Sequence, residues 1–468
     1  MPRLSIFNRT KNDDYKLFYL QTGTSLDIAT GIFQEGVSNY NYFKNNNQWY
    51  LNGGVSPTFS IVGKTQTYKS AILISYLSRI LKLYKDATCV VYDTEFAIAG
   101  KERIISLSSE LDNYLEDNPR SKLGDIILED SNSMNMDDFF EFIMSIAEER
   151  YKHKKDYIIE SPFINPKTNK PYLTIIPFII LIDSFSMMSN SKETELYKNH
   201  KLSDSETNMV YMNDNKDKSK FMRQIPILSK KGGIHMMISA HLGKKFNLNP
   251  FGDKSKDFQY MKANSTIKNV GSQFGFLTNT LIETISPKTL LDTSKHCYYI
   301  SEYGNSPDTE LNQVKLSVCR CKNNISGTIF SNIVSQYFGI LNGVTNFQEI
   351  KQYKEGITGK NKIVLELYDK ISVSRNSLRS ELKDNYEYYR ALEIISQMLY
   401  IKYTWLMSNK TLLHLKDLDM SEITNRLKDN KKILISDILN SRGTWTYDKK
   451  DPRKYLSIFD ILQLLNKN

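Results

Sequence analysis

The stretch "SIVGKTQTYKSAILISYL", residues Ser60–Leu77, decides the fold. An apolar run leads into Gly63, five residues follow, and Lys69 and Ser70 then open an amphipathic helical pattern. Phosphate-binding loops (P-loops) follow the pattern G-x-x-x-x-G-K-[ST] between a strand and a helix. This chain departs from the pattern at one position, where Tyr68 stands in place of the second glycine. The stretch therefore predicts a strand, a loop and a helix, and it raises the question of whether the loop holds a nucleotide.

The predicted loop has the chemistry that ATP and Mg²⁺ require. Backbone N–H groups of such a loop and of the following helix N-terminus surround phosphate oxygens. Lys69 is then expected to reach the β and γ phosphates, and the Ser70 hydroxyl to hold Mg²⁺. The alternative is a strand–turn–helix corner with an incidental Lys-Ser pair. The cofactor-binding residues of the nucleotide interpretation are Gly63, Lys64, Thr65, Gln66, Thr67, Tyr68, Lys69 and Ser70.

Three further polar residues lie where apolar strand patterns end. Asp183 ends "FIILID", Glu95 follows "VVYD", and His241 ends "IHMMISAH". Because parallel strands open at the same edge of a sheet, these side chains are expected beside the loop. We expect Asp183 to hold Mg²⁺, Glu95 to orient the attacking water, and His241 to sense the γ-phosphate. The alternatives are a turn-capping aspartate, a surface glutamate with Asp93 as the base, and a structural histidine.

Strand and helix patterns alternate as far as about residue 340. Continuous apolar runs predict buried strands, and three-to-four spacing predicts helices. The alternation favours an α/β fold with a mostly parallel central sheet. "YFKNNNQWYLNGG" (Tyr42–Gly54) predicts a loop, and Pro226 is expected to kink or end a helix within Asn190–Lys231. The predicted strands are "TFSIVG", "ATCVVYDTE", "TIIPFIILID", "GIHMMISAH", "NTLIETIS", "YYISEY" and "KLSVCRCK".

The pattern changes after about residue 345 to helical segments separated by charged turns. These segments are "NKIVLELYDKISV", "YEYYRALEIISQMLYIKYTWLM" and "KYLSIFDILQLL". We therefore expect an N-terminal segment over 1–20, an ATPase core over 21–340, and a mainly helical C-terminal domain over 341–468.

Composition limits the partner and the compartment. The 468 residues include 62 Lys and Arg against 52 Asp and Glu, and the formal net charge of +10 favours an anionic partner, first of all nucleic acid. A mildly basic surface without a partner is the alternative. No apolar run is long enough for a membrane helix, and no signal-peptide pattern occurs. The spacing of Cys89, Cys297, Cys319 and Cys321 predicts no zinc site and a reducing compartment.

The motifs "GKTQTYKS", "VVYDTEF", "FIILIDSFSMMSNSKETE" and "MMISAH" together resemble the RecA-type recombinases. They are most similar to the bacteriophage UvsX branch, and the resemblance covers about residues 24–335. It implies a RecA-like P-loop ATPase core, ATP and Mg²⁺ as cofactors, and a phage-encoded protein in the host cytoplasm. It also implies a helical filament on single-stranded DNA that pairs with duplex DNA, with loader and single-strand-binding proteins as partners. Tyr68 would then be a family feature, because that branch also has an aromatic residue before the P-loop lysine.

The resemblance also assigns roles to basic residues and to the N-terminal segment. In "KLSVCRCKNN", Arg320 and Lys322 match two basic residues that reach the neighbouring subunit's γ-phosphate across the filament interface. Without the resemblance, a solvated edge strand is the preferred interpretation. Residues 1–20 are expected to contribute a filament contact.

Two loops are expected to face DNA. The first lies within Ser189–Lys220 and contains the basic run "NKDKSK". The second follows His241 and mixes lysines with aromatic residues, among them Phe258 and Tyr260, a combination that suits single-stranded DNA. A solvated surface loop is the alternative. The predicted DNA contacts are Lys244, Lys245, Phe246, Lys268 and Lys220.

Three functions stay open on the sequence. The first is an ATP-dependent recombinase that forms a filament and exchanges strands. The second is a hexameric replicative helicase, against which we count the short stretch of about 50 residues before the loop. The third is a non-catalytic, ATP-gated assembly protein, which the set Lys69, Asp183 and Glu95 disfavours.

Overall fold

A computed structural model provides the structure of the chain. The residues it describes are 15–31, 33–38, 48–84, 86–96, 100–108, 126–130, 134–165, 168–191, 206–244, 256–262, 265–304, 306–404, 419–445 and 455–465. Within these ranges the strands are β1 (Phe33–Ser38), β2 (Gln48–Leu51), β3 (Thr58–Gly63), β4 (Thr88–Asp93), β5 (Ile126–Asp130), β6 (Ile158–Asn165), β7 (Lys170–Ile175), β8 (Phe178–Asp183), β9 (Ile234–Lys244), β10 (Ser265–Ile267), β11 (Thr280–Thr284), β12 (Lys288–Thr289), β13 (Leu311–Cys321), β14 (Ile329–Ser335), β15 (Gly339–Ile340), β16 (Ile357–Thr358), β17 (Ile363–Leu365) and β18 (Tyr368–Val373). The helices are α1 (Ser25–Thr30), α2 (Lys69–Leu83), α3 (Lys101–Ser106), α4 (Met136–Lys152), α5 (Lys154–Tyr157), α6 (Glu206–Gly232), α7 (Phe274–Leu277), α8 (Asn342–Tyr353), α9 (Leu378–Asp384), α10 (Tyr386–Thr404), α11 (Met420–Lys428), α12 (Ile435–Leu439) and α13 (Ile458–Leu464).

A large central sheet organises the fold and runs in the order β15-β14-β13-β11-β3-β9-β8-β4-β5. The six strands from β11 to β5 are mutually parallel, whereas β13, β14 and β15 extend the sheet in antiparallel fashion. The predicted α/β fold with a mostly parallel sheet is therefore confirmed. The predicted run "TIIPFIILID" divides at Pro177, so that β7 ends before it and β8 begins after it.

Strand periodicity builds the two faces of this sheet. Successive residues of a strand point to opposite faces, and neighbours such as Ile61 and Val62, or Ile180 and Leu181, belong to two different hydrophobic clusters. One cluster lies beneath α2 and the C-terminal helices, and the other beneath α4 and α6. Burial on both faces explains why these parallel strands read as continuous apolar runs.

Two smaller sheets complete the fold. The first has the order β2-β1-β6-β7, and the second, β16-β17-β18, lies within the otherwise helical C-terminal region. Trp445 joins distant parts of the chain, because its ring lies 5.7 Å from that of Phe18, 5.3 Å from Tyr84 and 5.6 Å from Phe163. The boundaries at residues 20 and 340 stay predictions, and the filament contact expected of 1–20 lies largely outside the described residues, while Phe18 packs against its own chain.

Three local predictions are wrong, and of the kink or end expected at Pro226 the end does not occur. Part of the loop predicted over Tyr42–Gly54 is the strand β2, and "YYISEY" contains no strand among its described residues. "NKIVLELYDKISV" forms β17 and β18 because its apolar residues alternate, with Ile363, Leu365 and Leu367 buried. Helix α6 continues through Pro226 to Gly232. A helix-interior proline costs about 3 kcal/mol, which the packing of the buried side chains on either side offsets here.

Among the described residues, no helix combines the length and the apolar character that crossing a membrane requires.

Candidate active site

The predicted site residues converge at one edge of the central sheet. Gly63 at the end of β3 stands beside His241 of β9, and Asp93 at the end of β4 stands beside Asp183 at the end of β8. This is the edge at which the carboxyl ends of parallel strands open, where α/β proteins bind ligands. The expected convergence of three separate apolar runs is present.

The loop after β3 has no room for a side chain at Gly63. A Cβ built there would lie 1.9 Å from Thr284 Oγ1 and 2.6 Å from Thr67 Oγ1. These two hydroxyls are 2.6 Å apart, and Thr67 also donates to the Lys64 carbonyl at 2.8 Å. The hydroxyl pair fastens the loop to β11 directly beneath the turn.

Tyr68 adopts the left-handed backbone conformation that a glycine would favour at this position. Its φ of +63° lies in the left-handed region, which glycine adopts freely and other residues adopt at a cost of roughly 1–2 kcal/mol. The half-buried ring packs against the core, and Gln336 Nε2 donates to the tyrosine hydroxyl at 3.4 Å. Gln336 lies in the turn between β14 and β15, and Arg103 donates to its carbonyl at 2.7 Å. Sequence reasoning missed this turn, whose Tyr337 is 53% exposed.

Lys69 is held inside the loop. Its Nζ donates to the Lys64 carbonyl at 3.0 Å, and the residue is 6% exposed. Burial lowers the pKa of Lys69, while the negative charges of Asp183 and Glu95 oppose that shift. A cation kept largely dry beside two carboxylates is placed to bind an anion at the N-terminus of α2.

Asp183 and Ser70 fit a divalent cation. Burial raises the pKa of Asp183, and hydrogen bonds from Ser239 and Ser70 partly offset this. Ser239 donates to Asp183 Oδ1, whereas the buried Oδ2 makes no well-formed hydrogen bond within the described part of the chain. A buried carboxylate oxygen without a donor, next to a serine hydroxyl, is the oxygen pair that Mg²⁺ takes from a protein beside phosphates and waters. Sequence reasoning missed Ser239, although it shares a strand face with His241.

Glu95 and His241 form a direct pair. His241 Nε2 lies 2.5 Å from Glu95 Oε1, and the two side chains are 22% and 28% exposed. The hydrogen bond from His241 is the main reason why the pKa of Glu95 falls to about 2. Asp93, the alternative base, is buried, and its Oδ1 accepts the Glu95 N–H at 3.1 Å. Asp93 therefore supports the turn that presents Glu95.

A set of hydroxyls connects the strand ends, and sequence reasoning missed it. Thr94 Oγ1 donates to the Ser184 carbonyl at 2.9 Å and accepts the Ser184 N–H at 2.7 Å. Ser186 Oγ accepts the His241 N–H at 3.0 Å and donates to the Lys268 carbonyl at 2.8 Å. The end of β8 is thereby tied both to the Glu95 turn and to the segment that follows His241.

The segment that follows His241 begins as a β-hairpin. Strand β9 continues beyond His241 to Lys244 and pairs with β10, so that Lys244 stands opposite Ser265 and Lys268 follows the second strand. Both lysines are exposed or nearly so. Phe258 packs against the core, whereas Tyr260 is 43% exposed. Lys245 and Phe246 lie outside the described residues.

The first DNA segment is corrected in part. The run "NKDKSK" was expected in a loop and lies within α6. Lys218 is buried and pairs with Asp214 at 2.8 Å, so it faces the protein interior. Lys220 is exposed and pairs with Asp217 at 2.8 Å. Lys220 stays a predicted DNA contact, now on a helix surface.

Arg320 and Lys322 lie far from the loop of their own chain. Arg320 lies opposite Leu281 of β11, and Leu281 lies opposite Ser60 of β3. Ser60 precedes Gly63 by three residues, so Arg320 lies about 10 Å before Gly63 along the strand direction. Lys322 lies still nearer the opposite edge, because its N–H bonds the Asn279 carbonyl. Arg320 Nε is buried with no hydrogen-bond partner among the described residues. Burial, and then the charge of Arg320, lower the pKa of Lys322.

Comparison with models of known protein families gives no match, and a search among curated proteins gives none either.

Proposed function

We propose that this chain is an ATP-dependent recombinase with a RecA-like core, a phage-encoded protein that acts in the host cytoplasm. It would form a helical filament on single-stranded DNA and pair that strand with homologous duplex DNA, assisted by loader and single-strand-binding proteins. One observation carries the proposal: Lys69, Asp183 and the Glu95–His241 pair meet at one sheet edge, at the N-terminus of α2. Phosphoryl transfer needs this combination of phosphate cation, metal carboxylate and water-orienting base.

The residues divide the chemistry as follows. Lys69 exchanges the Lys64 carbonyl for phosphate oxygens, which carry more negative charge. Ser70 and Asp183 would hold Mg²⁺, which neutralises charge on the phosphates when bound. Ser239 fixes the Asp183 carboxylate. Glu95 orients a water against the γ-phosphate, and the proposal is that its contact with His241 is released when it does so.

The contacts of His241 connect the proposed nucleotide site to the proposed DNA-binding hairpin. His241 touches Glu95 with its side chain, and its backbone continues into the β9–β10 hairpin. Ser186 joins His241 to Lys268 on the other side of the hairpin. A change in the Glu95–His241 contact would therefore alter the hairpin that carries the proposed DNA-binding lysines.

Arg320 and Lys322 support an assembled enzyme. They cannot serve the loop of their own chain, because they lie toward the opposite sheet edge. Arg320 Nε is buried without a hydrogen-bond partner among the residues that the structure describes, and a second subunit's phosphate would give Arg320 and Lys322 an anionic partner. The proposal is that both act in trans.

A subunit-mixing experiment tests the proposal. Lys69→Ala should abolish single-stranded DNA-dependent ATP turnover, and so should Arg320→Ala. Mixing the two variants should restore part of the activity, because each interface can combine one intact half from each subunit. No recovery at any mixing ratio would contradict action in trans. Electron microscopy with ATP and single-stranded DNA separates an open filament from the closed ring of a helicase.

A further inference from the structure

A buried glutamate lies beside the phosphate-binding loop and takes no part in the chemistry proposed above. Glu283 of β11 is 3% exposed and stands opposite Val62 of β3, one residue before Gly63. Its Oε2 accepts the backbone N–H of Lys262 at 2.9 Å. Burial raises the pKa of Glu283, while the Lys262 N–H and the charges of nearby lysines, among them Lys64 of the loop, oppose that shift. The carboxylate therefore lies between the loop and the chain that leads into β10.

The next residue of the same strand fastens the loop. Thr284 Oγ1 lies 2.6 Å from Thr67 Oγ1, and it would lie 1.9 Å from a Cβ built at Gly63. Successive residues of a strand point to opposite faces of the sheet. Thr284 therefore reaches the loop on one face, while Glu283 reaches Lys262 on the other. Two adjacent residues at the end of β11 thus hold two parts of the chain that are about two hundred positions apart.

The segment 256–262, which leads into β10, is held by further contacts with the sheet. Asp257 Oδ2 accepts the Ile267 N–H of β10 at 3.0 Å. Ser317 Oγ of β13 donates to the Tyr260 carbonyl at 3.3 Å. A displacement at one end of the segment therefore reaches β10, the second strand of the proposed DNA-binding hairpin, through fixed contacts.

We propose that Glu283 is a positioning residue that couples the phosphate-binding loop to the β9–β10 hairpin. The inference rests on the proposed function and adds a second connection, on the β10 side, to the one through His241. A nucleotide that moves the loop at Thr67 moves Thr284 with it, and Glu283 passes the displacement to the Lys262 N–H. Coupling between two binding sites is reciprocal, so bound nucleotide should raise the affinity for single-stranded DNA by the factor by which DNA raises the affinity for nucleotide.

The experiment measures binding of the full chain to a labelled single-stranded oligonucleotide by anisotropy, with and without a non-hydrolysable ATP analogue. The ratio of the two affinities should be roughly 5–150 in wild type. Glu283→Ala removes the acceptor of the Lys262 N–H and should bring the ratio close to one. Thr284→Val removes only the hydroxyl and should lower the ratio as well. The matched control is Glu349→Ala, because that glutamate accepts a hydrogen bond from Ser396 Oγ at 3.2 Å in the C-terminal region, and it should keep the wild-type ratio.

Amide hydrogen exchange supplies a readout that a general loss of stability does not imitate. In wild type, the ATP analogue should change the exchange rate of the Lys262 N–H, which is bonded to Glu283. In Thr284→Val that hydrogen bond is intact, so the N–H should stay protected but no longer respond to the analogue. The double variant Glu283→Ala, Thr284→Val should lose no more of the affinity ratio than the more affected single variant, because both residues lie on one route.

Three results would overturn the proposal. The first is a Glu283→Ala variant with the wild-type affinity ratio; if this variant does not fold, Thr284→Val takes its place. The second is a Lys262 N–H in wild type whose exchange is the same with and without the analogue. The third is a double variant whose losses add fully, which would assign the two residues to separate routes. A wild-type ratio of one would overturn the proposed function together with the inference, whereas a larger wild-type ratio combined with any of the three results would overturn the inference alone.

Discussion

Removing the His241 side chain is predicted to raise ATP turnover in the absence of DNA. In the structure His241 Nε2 lies 2.5 Å from Glu95 Oε1, so this oxygen of the proposed base is already engaged by a hydrogen bond. If the pair acts as a latch, DNA binding opens it through the hairpin, and His241→Ala opens it permanently. The basal rate should then rise, and its ratio to the DNA-stimulated rate should move toward one.

The size of the effect follows from the pKa of Glu95. Its fall from the ordinary 4.5 to about 2 corresponds to about 3 kcal/mol from all causes, of which the His241 hydrogen bond is the largest. Both side chains are a quarter or so exposed, and screening by solvent reduces the contribution of the pair to about 1–2 kcal/mol. Releasing that amount changes the population of unlatched Glu95 by roughly 5–30-fold.

The assay is steady-state ATP turnover with and without single-stranded DNA. His241→Ala should raise the basal rate by roughly 5–30-fold, and His241→Gln, which keeps a hydrogen-bond donor, should fall between this variant and wild type. His153→Ala is the matched control, because that histidine also pairs with a glutamate, Glu149 at 3.2 Å, but on the opposite edge of the sheet. An unchanged basal rate with intact DNA stimulation would refute the latch. A lower basal rate would assign His241 to the chemical step itself.

Three further predictions test the loop, the coupling and the C-terminal region. Gly63→Ala should destabilise the fold by about 1–3 kcal/mol in urea unfolding and abolish ATP binding in a direct titration, because the new Cβ would lie 1.9 Å from Thr284 Oγ1. Ser186→Ala removes two hydrogen bonds, each of about 1 kcal/mol, between the end of β8 and the hairpin. The variant should bind ATP normally while DNA stimulation of turnover falls, and a wild-type ratio of stimulated to basal turnover would show that Ser186 carries no coupling. Burial raises the pKa of Glu349 to about 7, so the folded state holds more protons than the unfolded state between the ordinary value of 4.5 and 7. The contribution of Glu349 to stability should therefore be fully present below about pH 4.5 and be lost as pH rises through 7, and Glu349→Gln should remove this part of the pH dependence in urea unfolding at about pH 5 and about pH 8.

The central sheet and its polar edge could be predicted from sequence because short continuous stretches of the chain specify each strand and the polar residue at its end. The apolar runs of β3, β8 and β9 lead to Gly63, Asp183 and His241, and burial on both faces makes these runs continuous. Parallel pairing then brings the ends together without further information. For that reason, Gly63, Asp183 and His241 could be identified from the sequence as site residues.

The parts that sequence reasoning missed depend on contacts between distant segments. In the β2-β1-β6-β7 sheet, β1 pairs with β6 across more than a hundred positions, as Val37 does with Ile164, and no local pattern indicates that pairing. Ser186 resembles any other serine until its bonds to β9 and Lys268 are known. Other errors were avoidable. The alternation of Ile363, Leu365 and Leu367 indicates a strand, and Ser239 lies two residues before His241 on the same strand face.

The two sheet edges together explain why a single subunit would be an incomplete enzyme. The proposed phosphate cation Lys69 is compensated in part by two carboxylates, Asp183 and Glu95, so a developing transition state needs positive charge beyond Lys69. The cations predicted to act in trans, Arg320 and Lys322, lie about three and five strand residues short of Gly63, whereas Lys64 is exposed in the loop itself. A head-to-tail assembly brings one chain's loop edge against the next chain's far edge, and such an interface repeats without closing when the rotation does not return to the start. Turnover in that arrangement must rise more steeply than in proportion to protein concentration, and a rate strictly proportional to concentration down to the lowest measurable level would place the missing cation within the chain itself.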